Sequence, residues 1–577
     1  MKKYIFNSGK PILFIEGTIL FLILSFVFYV VGYYNFCYLE QWNTFIFSKE
    51  AYSDILFQPG GAIQVLSNFI VQLFVHPLSG IFISAFILTC LALALSCILY
   101  KWSRNRASFP ISLFPVASLI FLHYNVNYSY SGTLAILLML AFLSLYLSIN
   151  KFSYRFVYSV ISLLLIYQLA GPIASLYGTI LIIMELSNLK WKSLFILILP
   201  LILLTTVYFS LKQGVVGEWK QLLLPDGYFT LRLHPGNIIY MPWIIISSVF
   251  VLCGISKLFE LKKKWMVISA NVIVFVAAAV FTQTGIKKYV DSKSEIFKEL
   301  NYYASNSQWD KIIERCGNIP INNLLYQNYL NIALAEKGML ADNLFKEPCY
   351  DIQTIYVVSN KTPYISALLS DIYFSMGHIS LSQRTAFEAN EGVGNFSPRM
   401  LKRLVQTNII YGAYGVADKY LDLLDNTMFY KEWAESYRKF LWNDAVVEAD
   451  PILGAKRRCL FPDNRFAGIN GLDDDLKQIA IQNPSHKITV QYLGSLYLLF
   501  KDLPRFMQTM EQFYGTKALP SPLPLYFQEA VVAYASGDDK ILKKYQIDDA
   551  VVKRYESFKK EPLQQPKSLW HFLKFRI

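Results

Sequence analysis

The 577-residue sequence is short of charge: only 16% of its residues are Asp, Glu, Lys or Arg, while 54% are hydrophobic. It has no GxxxxGK[ST] loop, no GxSxG elbow and no HExxH helix, so the usual footholds of nucleotide hydrolysis, serine-hydrolase chemistry and zinc proteolysis are missing. Seven cysteines (Cys37, Cys90, Cys97, Cys253, Cys316, Cys349 and Cys459) form no CxxC pair and have no histidine at ligand spacing, which argues against a thiolate metal site. A Cys316–Cys349 disulfide stays open. Ionisable residues are scarce inside the apolar runs. Glu16 and Glu185 lie near run ends, where snorkelling suffices, and a proton-coupled transporter needs such groups at mid-depth.

What charge there is falls unevenly. Before residue 289 there are 20 Lys and Arg against 8 Asp and Glu; after it, 34 against 33. The basic excess sits in short loops between apolar runs, where membrane topology explains it and nucleic-acid binding need not be invoked.

A helix needs roughly 20 apolar residues to cross the hydrocarbon core. Nine segments come near this, at 11–33, 78–100, 108–124, 132–149, 155–171, 172–188, 192–211, 240–257 and 265–285, so about nine spans are expected. Alternate loops differ in basic residues, fourteen against four. Since basic loops stay cytoplasmic, the N-terminus is expected inside and the C-terminal half outside, in the periplasm of a bacterium. Segment 61–75 carries Gln64, Asn68 and Gln72 every four residues and reads as an interfacial or re-entrant helix.

From residue 289 the pattern becomes amphipathic helix pairs with Gly, Ser or Asn at the bend, as at 328–345 and 368–389. Ala333, Gly338 and Ala341, and Tyr373, Gly377 and Ala386, resemble the small and Tyr positions of the tetratricopeptide repeat. The expected fold is therefore all-α: a polytopic transmembrane bundle over 1–288, then an irregular TPR-like α-solenoid over 289–577. Residues 450–475 break the helical pattern, with a basic triad Lys456, Arg457, Arg458 and an acidic triad Asp473, Asp474, Asp475 that read as solvated faces or as a binding loop.

Polar groups gather in two outer loops. The first, 34–60, offers Glu40, Glu50 and Asp54 and leads through Pro59-Gly60-Gly61 to His76; the second, 212–239, offers Glu218, Lys220, Asp226, Arg232 and His234. His123, Asn125 and Asn127 lie at another outer end. Together they would supply carboxylates, imidazole and guanidinium for acid–base work or anion binding.

A large acidic first outer loop, a surface helix beneath it and a soluble C-terminal domain resemble the C-type membrane glycosyltransferases. That resemblance implies Glu40 or Asp54 as base or metal ligand. It also implies a donor sugar on a polyprenyl phosphate, with Lys220, Arg232, His234 and His76 on the substrate side. The cofactor is unknown, a divalent metal being what the resemblance would add. The family's paired acidic motif is absent, since Glu40-Gln41 and Ser53-Asp54 have no adjacent carboxylate. The Gln58-Pro59-Gly60-Gly61 element also resembles a family of uncharacterised bacterial envelope membrane proteins. The expectation is an inner-membrane envelope protein acting on membrane lipid or a polyprenyl-linked glycan, with a protein partner or acceptor on the repeat domain. The rival is a non-enzymatic scaffold, and a transporter ranks third.

Overall fold

The computed structural model describes residues 2–104, 107–187, 191–214, 218–229, 235–256, 264–347, 351–461 and 471–575. Its ordered elements are helices, and among the described residues the only β pairing is two isolated bridges. Internal contacts divide the chain into two units, Met1–Glu295 and Ile296–Ile577.

The first unit contains α1 (Lys2–Val31), the short α2 (Asn35–Glu40) and α3 (Ser53–Leu56), α4 (Gly61–Val71), α5 (Pro77–Ser103), α6 (Ser108–His123) and α7 (Ser131–Tyr146). It continues with α8 (Phe152–Ala170), α9 (Ile173–Leu186), α10 (Leu199–Lys212), α11 (Trp219–Leu223), α12 (Met241–Ser256) and α13 (Lys264–Tyr289). Among the described residues, six stretches are long and apolar enough to cross a membrane: Leu13–Val31, Pro77–Ser103, Phe152–Ala170, Trp191–Lys212, Asn237–Ile255 and Trp265–Tyr289. The expectation of about nine is thus corrected. The helices at 108–124, 132–149 and 172–188 have only 16, 16 and 14 residues, about 21–24 Å at 1.5 Å per residue against a core of about 30 Å. Their hydropathy serves burial in protein: α6 packs on α5, α12 and α13, and α7 on α5, α8 and α9. An apolar run looks the same whether lipid or protein covers it.

Contacts among these helices define two ends. At one, Lys101 Nζ donates to Ser148 Oγ at 3.1 Å, and Arg155 pairs with Glu185 at 2.8 Å. Tyr146 and Ser193 also donate to that carboxylate. Glu185 is buried, so it does not snorkel; a buried carboxylate is tolerated here because a guanidinium and two hydroxyls answer it. At the other end, Asn35, His123, Tyr130 and Ser84 meet. Glu295, where the unit ends, lies beside Gly32 and Tyr124 at this second, polar end.

Two breaks in the sequence come together there. A Cβ placed on either Gly60 (φ +84°) or Gly171 (φ +71°) would stand 3.3 Å from the other's backbone, and Gly60 N–H donates to Gln168 O at 3.0 Å. A side chain at either position would crowd the other's backbone, and both conformations favour glycine. Gly171→Ala is expected to lower the thermal midpoint of the detergent-solubilised chain, costing about 1–3 kcal/mol. Gly214→Ala, at φ +79° with open space around it, should cost distinctly less. Equal midpoints would show that the close approach does not matter.

The second unit is built of helix pairs. Pro363–Met376 and Ile379–Glu391 flank Gly377 (φ +88°), and Pro398–Tyr411 and Tyr414–Asp425 flank Gly412 (φ +74°). Left-handed glycine caps release the chain into the next helix. A repeat solenoid touches only its neighbours in sequence, and this unit does not behave so. Thr489 Oγ1 donates to Met376 O at 2.6 Å, Gln491 Nε2 to Gly338 O at 3.0 Å, and Leu525 N–H to Asp342 Oδ1 at 2.7 Å. Helix Lys487–Leu499 lies against segments more than a hundred residues earlier, so a simple linear TPR-like stack is not what forms. Of the basic triad only Arg458 faces solvent. Lys456 is buried, and Arg457 bonds Ile409 O, Ile410 O, Tyr414 and Asp444. Asp475 is buried against His378 at 3.0 Å. Residues 462–470, the middle of the 450–475 segment, and Cys349 lie outside the described residues.

Candidate functional site

The connection from α1 to α5 needs only a turn, yet it takes residues 32–76 and folds them into α2, α3, α4 and a short 3₁₀ turn, Gln72–Val75. Its apolar side chains pin it down. Phe36 stacks edge-on with Phe28 and Phe74 at 5.0 and 5.4 Å, and Phe45 stacks on Tyr52 at 5.0 Å. Tyr52 in turn accepts from Ile46 N–H at 3.0 Å.

This packing buries polar groups. Asn35 Nδ2 donates to His123 O at 2.9 Å. Glu40, at the end of α2, is 4% exposed. Burial and the Glu40 charge push the Cys37 thiol above its ordinary range, so it remains a neutral thiol. Gln72 is 0% exposed, and neither atom of its amide has a hydrogen-bond partner among the described residues. His123 is ringed by Phe28, Phe36, Tyr128 and Tyr130. Its Nε2 is 2.8 Å from Thr133 Oγ1, which Tyr128 also reaches at 3.3 Å, while Nδ1 has no partner among the described residues. Around the rim, Tyr228 donates to Ala170 O, and Tyr240 donates to Asp226 at 2.7 Å.

The residues singled out from sequence do not all gather here. Asp54 is exposed on α3 beside Ser53. His76 is exposed and caps α5, its Nδ1 accepting from Leu78 N–H at 3.3 Å with Pro77 at the first helical position. Lys220 is exposed with its ammonium 5.9 Å from the Trp219 ring. Arg232 and His234 lie outside the described residues. No group of three His, Cys, Asp or Glu among the described residues is placed to hold a metal ion. Sequence reasoning passed over Asn35 and read Gln72 only as part of a surface stripe. The i, i+4 spacing of Gln64, Asn68 and Gln72 gave a polar stripe, but only Gln64 faces out; Asn68 and Gln72 turn inward, because α4 packs on α7 and α8.

Residues 10–572 match the model of a family of unknown function (DUF6057), and the chain belongs to that family. No curated protein and no solved structure matches it.

Proposed function

We propose that this chain, as a member of a family without an assigned function, is an integral membrane protein of the bacterial envelope acting at its polar end. The proposed activity is that of a transferase resembling the C-type glycosyltransferases. Six apolar helices support the membrane placement, and the basic bias of the loops at the Lys101–Arg155 end supports placing that end in the cytoplasm. The polar end, with Glu295, is then outside; six passes alone would return the chain to the N-terminal side, so this placement takes the shorter apolar helices Ser108–His123, Ser131–Tyr146 and Ile173–Leu186 as passes too.

Glu40 carries the functional reading. Its carboxylate is held almost out of water within the connection at the polar end, the kind of placement that acid–base sites use. In the proposed reaction an acceptor hydroxyl attacks the anomeric carbon of a lipid-phosphate sugar, the C–O bond to phosphate breaks, polyprenyl phosphate leaves, and Glu40 takes the hydroxyl proton. Asp54 is the alternative base, with His76, Lys220, Arg232 and His234 on the substrate side.

The test is a chromosomal Glu40→Gln replacement with lipid extracts and surface glycans as readouts. The expected result is accumulation of a lipid-linked glycan to the level of a deletion strain, with normal protein amount in the membrane fraction. Full complementation by Glu40→Gln and Asp54→Asn would remove the transferase reading. The second reading, a membrane-anchored scaffold, is favoured by the exposure of Asp54, His76 and Lys220; it predicts that tolerance, with function lost only through changes on the second unit's surface.

A further inference from the structure

Of the six long apolar stretches, the last is the barest. Only 6% of the apolar stretch of α13 is covered by the rest of the chain, against 22% to 61% for the others. Its seam is with α6: Phe281 meets Phe114 and Phe121 at 5.7 and 5.5 Å, and Tyr289 stacks on Phe121 at 5.6 Å. Phe121 lies two residues before His123 in α6, so the Tyr289 end of α13 is at the polar end of the unit.

Beside this seam, the end of α13 and the start of α12 form a groove of about 490 Å³. Ile238, Met241 and Ile244 supply apolar lining, and Asn237 and Lys288 supply polar lining. The Lys288 ammonium stands 5.2 Å from the Tyr289 ring. Lys288 and its neighbour Lys287 are exposed and make no ion pair among the described residues. Carboxylates at this end serve other donors: Asp291 accepts from Lys293 N–H at 3.1 Å, and Asp226 from Tyr240 at 2.7 Å.

Deeper along α13, Val272, Ile273, Val276 and Val280, each more than half exposed, line an apolar trough of about 580 Å³. At 1.5 Å per residue, Val280 lies about 12 Å and Ile273 about 22 Å from Lys288 along the axis. In a hydrocarbon core about 30 Å thick, the trough runs through the acyl-chain depth of the lysine's leaflet to the midplane.

We propose that the outer end of α13 holds an anionic glycerophospholipid, its phosphodiester on Lys288 and Asn237 and its acyl chains in the apolar groove and the trough below. This rests on the membrane placement given above and not on the transferase reading. Basic residues are scarce in loops on the outer side, so two consecutive lysines there call for a counter-charge, and a lipid phosphate at headgroup level supplies it through a charge-assisted hydrogen bond. A free phosphate would leave the apolar lining uncovered. A zwitterionic lipid would bring a second cation to the lysine pair. A second copy of the chain, packed here about a twofold axis along the membrane normal, would set two lysine pairs together with no carboxylate between them.

The test places the full chain in bilayer discs of equal parts phosphatidylglycerol and phosphatidylcholine with the same acyl chains, then counts retained lipid by native mass spectrometry after extraction into detergent. The expected result is one phosphatidylglycerol per chain, retained at least tenfold over phosphatidylcholine. Lys287→Gln combined with Lys288→Gln should reduce that preference at least fivefold, and Ile244→Trp, which fills the groove, should lower retention, both with an unchanged thermal midpoint. Equal retention of the two lipids, an undiminished preference in the lysine double variant, or a lipid-free dimer overturns the proposal. A chain recovered from the aqueous fraction instead of the membrane would remove the membrane placement itself, and this site with it; loss of the Glu40 reading would leave lipid retention unchanged.

Discussion

Asp371→Ala is expected to destabilise the second unit by about 3–5 kcal/mol, the usual cost of breaking a buried ion pair from one side. Asp371 accepts from both Arg399 and Arg403, whose side chains are only 8% and 17% exposed. Removing it leaves two guanidinium groups side by side with no counter-charge between them. Truncating Arg403 instead should cost less, because Asp371 keeps Arg399. The comparison is made by urea unfolding of the full chain followed through hydrogen exchange of amides in Pro363–Met376 and Pro398–Tyr411. An Asp371→Ala loss below about 1 kcal/mol would mean that water reaches the arginines and the pair is of the weak surface kind.

Glu529→Ala is expected to release the C-terminal helix Leu569–Phe575, with a loss of about 3 kcal/mol. The Glu529 side chain is fully buried and ion-paired with Arg554. It accepts from Leu569 N–H at 2.8 Å, while Trp570 Nε1 donates to its backbone carbonyl at 2.8 Å. Burial raises the carboxyl from its usual range to about 7, outweighing the opposing pull of Arg554 and the Leu569 amide. Arg554, 41% exposed, shares its charge with water. The sign follows from proton counting: with the folded value above the unfolded one, the folded state holds the proton longer. This group's contribution is therefore most favourable below about pH 4.5 and falls as pH rises to about 7, a change of about 3 kcal/mol. Glu529→Gln should abolish that slope in the hydrogen-exchange protection of Leu569–Phe575. An unchanged slope in Glu529→Gln would assign the pH dependence to other groups.

Local signals in the chain were legible where chemistry is local. Gly338, Gly377 and Gly412 mark helix ends because only left-handed caps suit those bends, and Pro59-Gly60-Gly61 and Gly171-Pro172 are real breaks. That the two breaks touch each other could not be read, since each is explained by its own neighbours. Glu185 illustrates the opposite failure. From its position in an apolar run, snorkelling was the economical account; its partners Arg155, Tyr146 and Ser193 come from three other segments, and no periodicity announces them. The polar stripe of α4 had the right spacing and the wrong direction, because amphipathicity defines a face without saying what lies against it.

The amino-acid order by itself determined that this protein is helical, that its apolar runs and basic excess lie before residue 289, and that Glu40 sits in a long polar connection between two of those runs. These follow from composition and period, which act over a few residues. Tertiary structure alone decided which apolar helices are long enough to span and which are simply buried, which polar residues of the connection turn inward, and that the second unit closes on itself through contacts a hundred residues apart. Packing partners settle those matters, and a run of hydrophobic residues is equally content against lipid or against another helix.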